Sequence, residues 1–167
     1  NTVKLDTDKL SVSKEAKKRG SGYLNVALFG VDSRDNDLDK GTRSDTIMIA
    51  SLNKKTMKVK IASIYRDTLS EQEDGTLNKI NAAYSYGGPE GALSVLNKNL
   101  DMNIEHYVTV NFNSMIDIVD SVGGIDIDVQ EDEMPYICGY VQEIMKVTGK
   151  LSPGVTEPGT QTLNGVQ

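Results

Sequence analysis

The stretch that most constrains this chain runs from Asn25 to Val31, reads Asn-Val-Ala-Leu-Phe-Gly-Val, and stops abruptly in Asp32, Ser33 and Arg34. A brief, nearly continuous apolar run bounded by glycine and polar residues is the signature of a buried strand. After a polar loop the pattern returns in reverse order: Arg43-Ser44-Asp45-Thr46 opens a second apolar run, Ile47-Met48-Ile49-Ala50. Carboxylate and guanidinium thus stand at strand ends twice. Open α/β sheets bind ligands in the crevice at their strand ends, so chemistry is expected there.

The rest of the chain fits the same class. A polar, Lys-rich segment, residues 1–22, reads as a flexible leader or a short helix from Val12 to Arg19, before a domain proper at residues 23–167. Strands are expected at Tyr23 to Gly30 and Asp45 to Leu52, then a hairpin turn at Asn53-Lys54-Lys55-Thr56 and a third strand, Met57 to Tyr65, ending at Arg66-Asp67. An acidic loop, Ser70 to Gly75, precedes helical spacing at Leu77, Ile80 and Tyr84, which Gly87-Gly88 stops. Pro89 at a first turn opens another helix with the apolar face Leu93, Leu96 and Leu100. His106 to Asn111 reads as a strand, Phe112 to Val122 as a helix closed by Gly123-Gly124, and Ile125 to Val129 as an alternating strand. Beyond Glu131 the text reads as loop. The order predicts a layered α/β/α domain on a central sheet flanked by helices.

Composition excludes several functions. There is no apolar run long enough to span a bilayer and no signal-peptide pattern. One cysteine, Cys138, rules out an internal disulfide, and with His106 it makes a poor zinc site. Charge is uneven: residues 1–20 carry six Lys/Arg against three Asp/Glu, residues 21–100 ten against ten, and residues 101–167 two against eleven. Without a basic stripe interleaved with aromatics, nucleic-acid binding is disfavoured. No GxGxxG or GxxxxGK[ST] spacing is present, and Ser33, Ser44 and Ser63 lack nucleophile-elbow glycines. His106 reads as structural, since no orienting partner is identifiable.

What remains is a set of acids and cations. Asp32 and Asp45, two carboxylates at neighbouring strand ends, suit a hard cation such as Mg²⁺, which takes oxygen ligands and completes its shell with water and substrate phosphates. Arg43, Arg66 and Lys79 supply the opposite charge on the same edge, and arginine presents a bidentate fork to phosphate. By residue type alone, the commoner role for Asp32 and Asp45 is to pair with Arg34 and Arg43 or to cap loops, since structural ion pairs are frequent. Ile80, Tyr84, Leu93, Leu96, Met115, Ile116 and Val119 read as core, though some of this aliphatic surface could line a lipid channel.

Six short motifs in register, Gly30-Val31-Asp32-Ser33-Arg34, Arg43-Ser44-Asp45-Thr46, Ser63-Ile64-Tyr65-Arg66-Asp67, Lys79-Ile80-Asn81-Ala82-Ala83-Tyr84, Gly87-Gly88 and Val122-Gly123-Gly124-Ile125, resemble the LytR-CpsA-Psr family. The resemblance implies a mixed central sheet with a lipid pocket between sheet and helices. It implies a membrane-anchored, extracytoplasmic phosphotransferase of Gram-positive-type bacteria. Its donor would be an undecaprenyl-pyrophosphate-linked glycopolymer (wall teichoic acid, capsule or another wall polymer) and its acceptor peptidoglycan. By similarity Asp32 and Asp45 match metal-associated acids holding Mg²⁺, and Arg43, Arg66 and Asp67 the catalytic group. Arg34, Lys79, Asn81 and Tyr84 fall with the substrate-binding positions. Tyr65 stands where proline is common. The alternative is a polyprenyl-pyrophosphate-binding module or envelope regulator without turnover.

The resemblance also sets expectations for the chain's ends. A membrane helix is expected ahead of the leader, and a strand and helix carrying further arginines beyond Leu163-Asn164-Gly165, so the catalytic domain is expected to be incomplete at its C-terminus.

Overall fold

A computed structural model describes residues 5–32 and 41–167. Two units divide the chain, the first ending at Asn111 and the second running Phe112–Gln167.

The first unit is built on strand β1, Tyr23–Val31, whose residues alternate so that Ala27, Phe29 and Val31 are buried on one face. Strand β2, Ser44–Asn53, pairs antiparallel with β1, and β3, Val59–Ser63, pairs antiparallel with β2. The turn between β2 and β3 is tied by Asn53, whose Oδ1 accepts from the backbone of Lys55 (3.0 Å) and Thr56 (2.9 Å), the local Asx bonding that favours turns. The hairpin is as expected, but β3 starts two residues later and ends two earlier.

Two departures from the expected order lie between β3 and the long helix. The acidic loop holds strand β4, Leu69–Glu71, and the expected helix start at Leu77 is instead strand β5, Leu77–Lys79, antiparallel to β4. Turn chemistry outweighs the helical spacing here: Asp74 Oδ1 accepts from Thr76 N (3.0 Å) and Thr76 Oγ1 (2.7 Å), and Gln72 N donates to Thr76 O at 2.8 Å. Helix α2 then runs Ala82–Leu100, broken at Gly88, whose φ of 64° and ψ of −157° only glycine adopts freely. Pro89 opens the second segment, where its missing N–H costs nothing.

Strand β6, His106–Val110, joins β1 in parallel, giving the order β3-β2-β1-β6. The sheet is mixed, and the α/β class is as expected. Helix α2 covers the face carrying Phe29, Ile47 and Ile49, and the edge-on contact of Phe29 with Tyr84 (5.2 Å, 66°) sits in a core shared with Ile80, Leu93, Leu96 and Ile104. The segment before β1 folds onto this core as a 3-10 turn, Thr7–Lys9, and helix α1, Lys14–Gly20, capped by Ser13. Leu10 is fully buried, and Asn97, itself buried, donates to Leu10 O (2.9 Å) and Ile104 O (3.0 Å) while accepting from Ile104 N (2.8 Å).

In the second unit helix α3, Phe112–Ser121, is followed by strand β7, Ile125–Val129. Two elements appear where loop was expected: helix α4, Met134–Thr148, and strand β8, Gly159–Leu163, antiparallel to β7. Pro135 lies in the first turn of α4 and is compatible with it. Ile116, Val141 and Val166 form one small core and Val129, Val155 and Leu163 another. Met115, expected in the core, is instead exposed on α3.

Candidate functional site

The first turn of the site is a bulge. Gly30 pairs with Thr46, but the next residue, Val31, pairs with Ser44, so Asp45 is an extra residue in β2. A bulge re-aims side chains and is frequent beside active sites. Ser44 is thereby brought opposite buried Val31 and is itself 0% exposed, while Asp45 stands out at the sheet's end.

Arg66 meets Asp45 there. After β3 the chain holds to β2 by Ile64 N donating to Ile47 O at 2.8 Å, turns with Thr68 N on Tyr65 O at 3.0 Å, and sends Arg66 Nη1 to Asp45 Oδ1. Asp67 follows, with its Oδ2 3.9 Å from Arg66 Nε and its Oδ1 2.6 Å from Lys79 Nζ at the end of β5. The result is an alternating row, Asp45, Arg66, Asp67, Lys79, drawn from three separate strand ends. Each side chain is about half exposed (48–56%). Pairs so exposed add little to stability, and the row offers its charges to solvent.

The electrostatics follow from the geometry. The hydrogen bond from Lys79 holds the Asp67 carboxyl below the ordinary aspartate range; burial opposes it, and the charges of Lys79, Arg66 and Arg43 add to the lowering. Arg43 therefore belongs to the same field, exposed just before β2.

The other expected residues divide. Asp32 is exposed directly after β1. Arg34 lies outside the described residues. Asn81, 4% exposed, precedes α2, and its backbone N–H donates to Arg66 O at 3.2 Å, which ties the helix start to the arginine. Tyr84 stands apart from the row, buried against Phe29 with its hydroxyl 3.0 Å from Thr109 Oγ1. Sequence reasoning placed Lys79 at a helix start; it is the last residue of a hairpin strand, and this is what brings it to Asp67. It missed Ser44, because a bulge leaves no periodicity signal.

The row can release cations to a polyanion. Arginine and lysine held by exposed carboxylates exchange them for phosphate oxygens at low cost, since the competing ion pairs are weak. A cavity of about 950 Å³ elsewhere in this unit, lined in part by Glu73, Gly88, Glu90, Ser94 and Lys98, contains none of these residues.

Known proteins resemble the chain in sequence and in fold. The chain is 39% identical over 126 residues to the polyisoprenyl-teichoic acid–peptidoglycan teichoic acid transferase TagU of Bacillus cereus (strain AH820), a match covering 75% of this chain and 40% of that protein. The chain thus spans about two fifths of the length of such relatives. Among solved structures, YwtF (TagT) with bound octaprenyl pyrophosphate lipid superimposes with a TM-score of 0.62 at 26% identity, over 99% of this chain and 57% of that one. TagV of B. subtilis does so with a TM-score of 0.61 at 30% identity, over 86% and 52%. The model of the LytR_cpsA_psr family matches residues 2–167, and the chain belongs to that family.

Proposed function

We propose that this chain carries the pyrophosphate-handling part of a phosphotransferase that moves a glycopolymer from a polyprenyl-pyrophosphate carrier to peptidoglycan at the extracytoplasmic face of the membrane. The observation that carries the reading is the exposed row Asp45, Arg66, Asp67, Lys79, with Arg43 in its field, in a chain whose relatives include teichoic acid transferases. Among the described residues no helix is long and apolar enough to cross a membrane.

The chain's residues divide the work by charge. Arg66 and Arg43 take pyrophosphate oxygens, and Arg66, as a planar fork, orients them. Lys79 adds a point charge, held toward the same place by Asp67. The depressed Asp67 carboxyl is a weak base, so its part is to orient Lys79 rather than to take a proton. The acceptor hydroxyl oxygen forms a bond to the phosphorus bearing the sugar, the anhydride P–O bond breaks with its electron pair leaving on the lipid phosphate, and the hydroxyl proton passes to that departing phosphate or to solvent. Cations aimed at those oxygens stabilise the charge that develops.

The donor set also fits a divalent cation. Asp32 and Asp45, both exposed at neighbouring strand ends, would offer hard oxygens to a cation that completes its shell with water and phosphate, as Mg²⁺ does. Bound there, Mg²⁺ would neutralise pyrophosphate charge as a Lewis acid. For the prenyl chain, the sheet face opposite α2 is the candidate, since Val59, Ile61 and Val108 are exposed on it beside Ala50 and Leu28.

The test is transfer from a lipid-linked donor to peptidoglycan oligomers by the protein containing this chain. Arg66→Ala is expected to lower transfer on the order of 10²-fold. Undiminished transfer overturns the reading, and donor binding with no Mg²⁺-dependent product points to a binding module.

A further inference from the structure

Two buried oxygens beside the ion row have no hydrogen-bond partner among the described residues: Ser44 Oγ and Asn81 Oδ1. Both residues are nearly sealed from solvent, at 0% and 4% exposed. Buried polar atoms are nearly always paired, so an orphan calls for a reason. Neither is explained by the local fold. Asn81 occupies the cap position of α2 without its side chain capping anything, and Ser44 sits on the core side of a bulge where alanine would fill the same space.

Their neighbours supply the reason. Ser44 adjoins Asp45 in the bulge, and the Asn81 backbone is bonded to the Arg66 carbonyl. Asp45 and Arg66 are occupied with each other. Each orphan thus lies next to one half of an ion pair that a polyanion would separate.

We propose that Ser44 and Asn81 are positioning residues that take over Asp45 and Arg66 when ligand parts them. The inference rests on the pyrophosphate and cation reading of the site. Arg66 turns to phosphate oxygens, and Asp45, left without its guanidinium, accepts a hydrogen bond from the Ser44 hydroxyl, which fixes the carboxylate for the cation. Asn81 Oδ1 accepts an N–H that Arg66 no longer gives to Asp45, which fixes the fork. The orphaned state is then the resting arrangement, and the bound state is the one in which both of these oxygens are paired. Serine and asparagine are suited to this because both are small and uncharged, so neither competes with the ligand in the resting protein.

The experiment is a thermodynamic cycle on binding, with inorganic pyrophosphate and Mg²⁺ as the probe and calorimetry as the readout, on the wild-type chain, Ser44→Ala, Asp45→Asn and the double variant. Urea unfolding is followed in parallel. A residue kept only for the fold loses stability on truncation. Ser44→Ala is expected to leave the urea midpoint unchanged or higher while weakening probe binding about tenfold, as loss of an outer-shell partner does. In the Asp45→Asn background it is expected to have no further effect on binding, since the partner it orients is altered. Asn81→Ala with Arg66→Lys forms the matching second cycle. Unchanged binding in Ser44→Ala, or effects of Ser44→Ala and Asp45→Asn that simply add, overturns the proposal while leaving the site reading intact. A wild-type chain that binds no probe overturns the site reading, and the proposal with it.

Discussion

Lys79 Nζ lies 2.6 Å from Asp67 Oδ1, although the lysine ends β5 and the aspartate precedes β4. Since Leu69 and Lys79 are register partners, this ion pair closes the open end of the β4–β5 hairpin. One contact thus both shapes the hairpin and delivers a cation to the row.

Lys79→Met therefore has a predictable signature in acid. Asp67 is depressed in the folded chain, so its contribution is present above the unfolded aspartate value and lost as pH falls through the folded one. Removing Lys79 should raise the Asp67 titration midpoint, as read by NMR, and shrink the stability gap between wild type and variant as pH drops through that range. An unmoved midpoint would mean that the row is not formed in solution.

Arg66→Lys keeps the charge and discards the fork. If pyrophosphate is gripped by the planar guanidinium, this change should cost binding of the lipid pyrophosphate roughly tenfold or more, because a point charge does not replace two parallel hydrogen bonds. Titration calorimetry at two salt concentrations checks it. The residual binding of the lysine variant should weaken more steeply with salt, since what is left is screened charge attraction. Equal affinity in the two proteins would show that only charge matters.

How much of this was legible in the sequence depends on what set each element. Asn25 to Val31 and Ile47 to Ala50 were readable because burial on a sheet writes its period into the residues. The β4–β5 hairpin was not, since Leu77, Ile80 and Tyr84 match a helical face although Leu77 is exposed and Asp74 closes a turn. Helix α4 hid behind Pro135 and Gly139, which read as breakers but occupy a first turn and an uncrowded position. The acids and cations of the site stood out at strand ends. Their order in the row did not, because it depends on a bulge and a hairpin that bring separate segments together.

Asn97→Leu tests the joint between the leading segment and the core. Three hydrogen bonds, to Leu10 O, Ile104 O and Ile104 N, vanish at once. Each buried group left unpaired costs about 1–3 kcal/mol, so a loss of about 3 kcal/mol or more is expected in urea unfolding. A change below about 1 kcal/mol would show that Leu10 is not held as described.

Two glycines in the second unit should respond in opposite directions to alanine. A Cβ on Gly165 would lie 2.3 Å from the Ile116 carbonyl oxygen, a backbone atom that cannot step aside, so Gly165→Ala should destabilise by about 1–3 kcal/mol. Gly139, inside α4, has nothing within 4 Å of that position, and Gly139→Ala should stabilise by about 0.5–1 kcal/mol. Thermal unfolding of both variants decides it, and a shared sign would contradict the packing of α3 against the chain's last residues.

The interruption of α2 at Gly88 has a mechanical meaning. An unbroken rod from Ala82 to Leu100 would carry any displacement at its amino end straight to Asn97, and ligand forces at Arg66 would pull on the clamp that holds Leu10. With the ladder cut at Gly88, the helix is two segments meeting at a kink. The short segment begins beside Asn81 and seats Tyr84 in the core, while the long one is held by Asn97, so each has its own anchor.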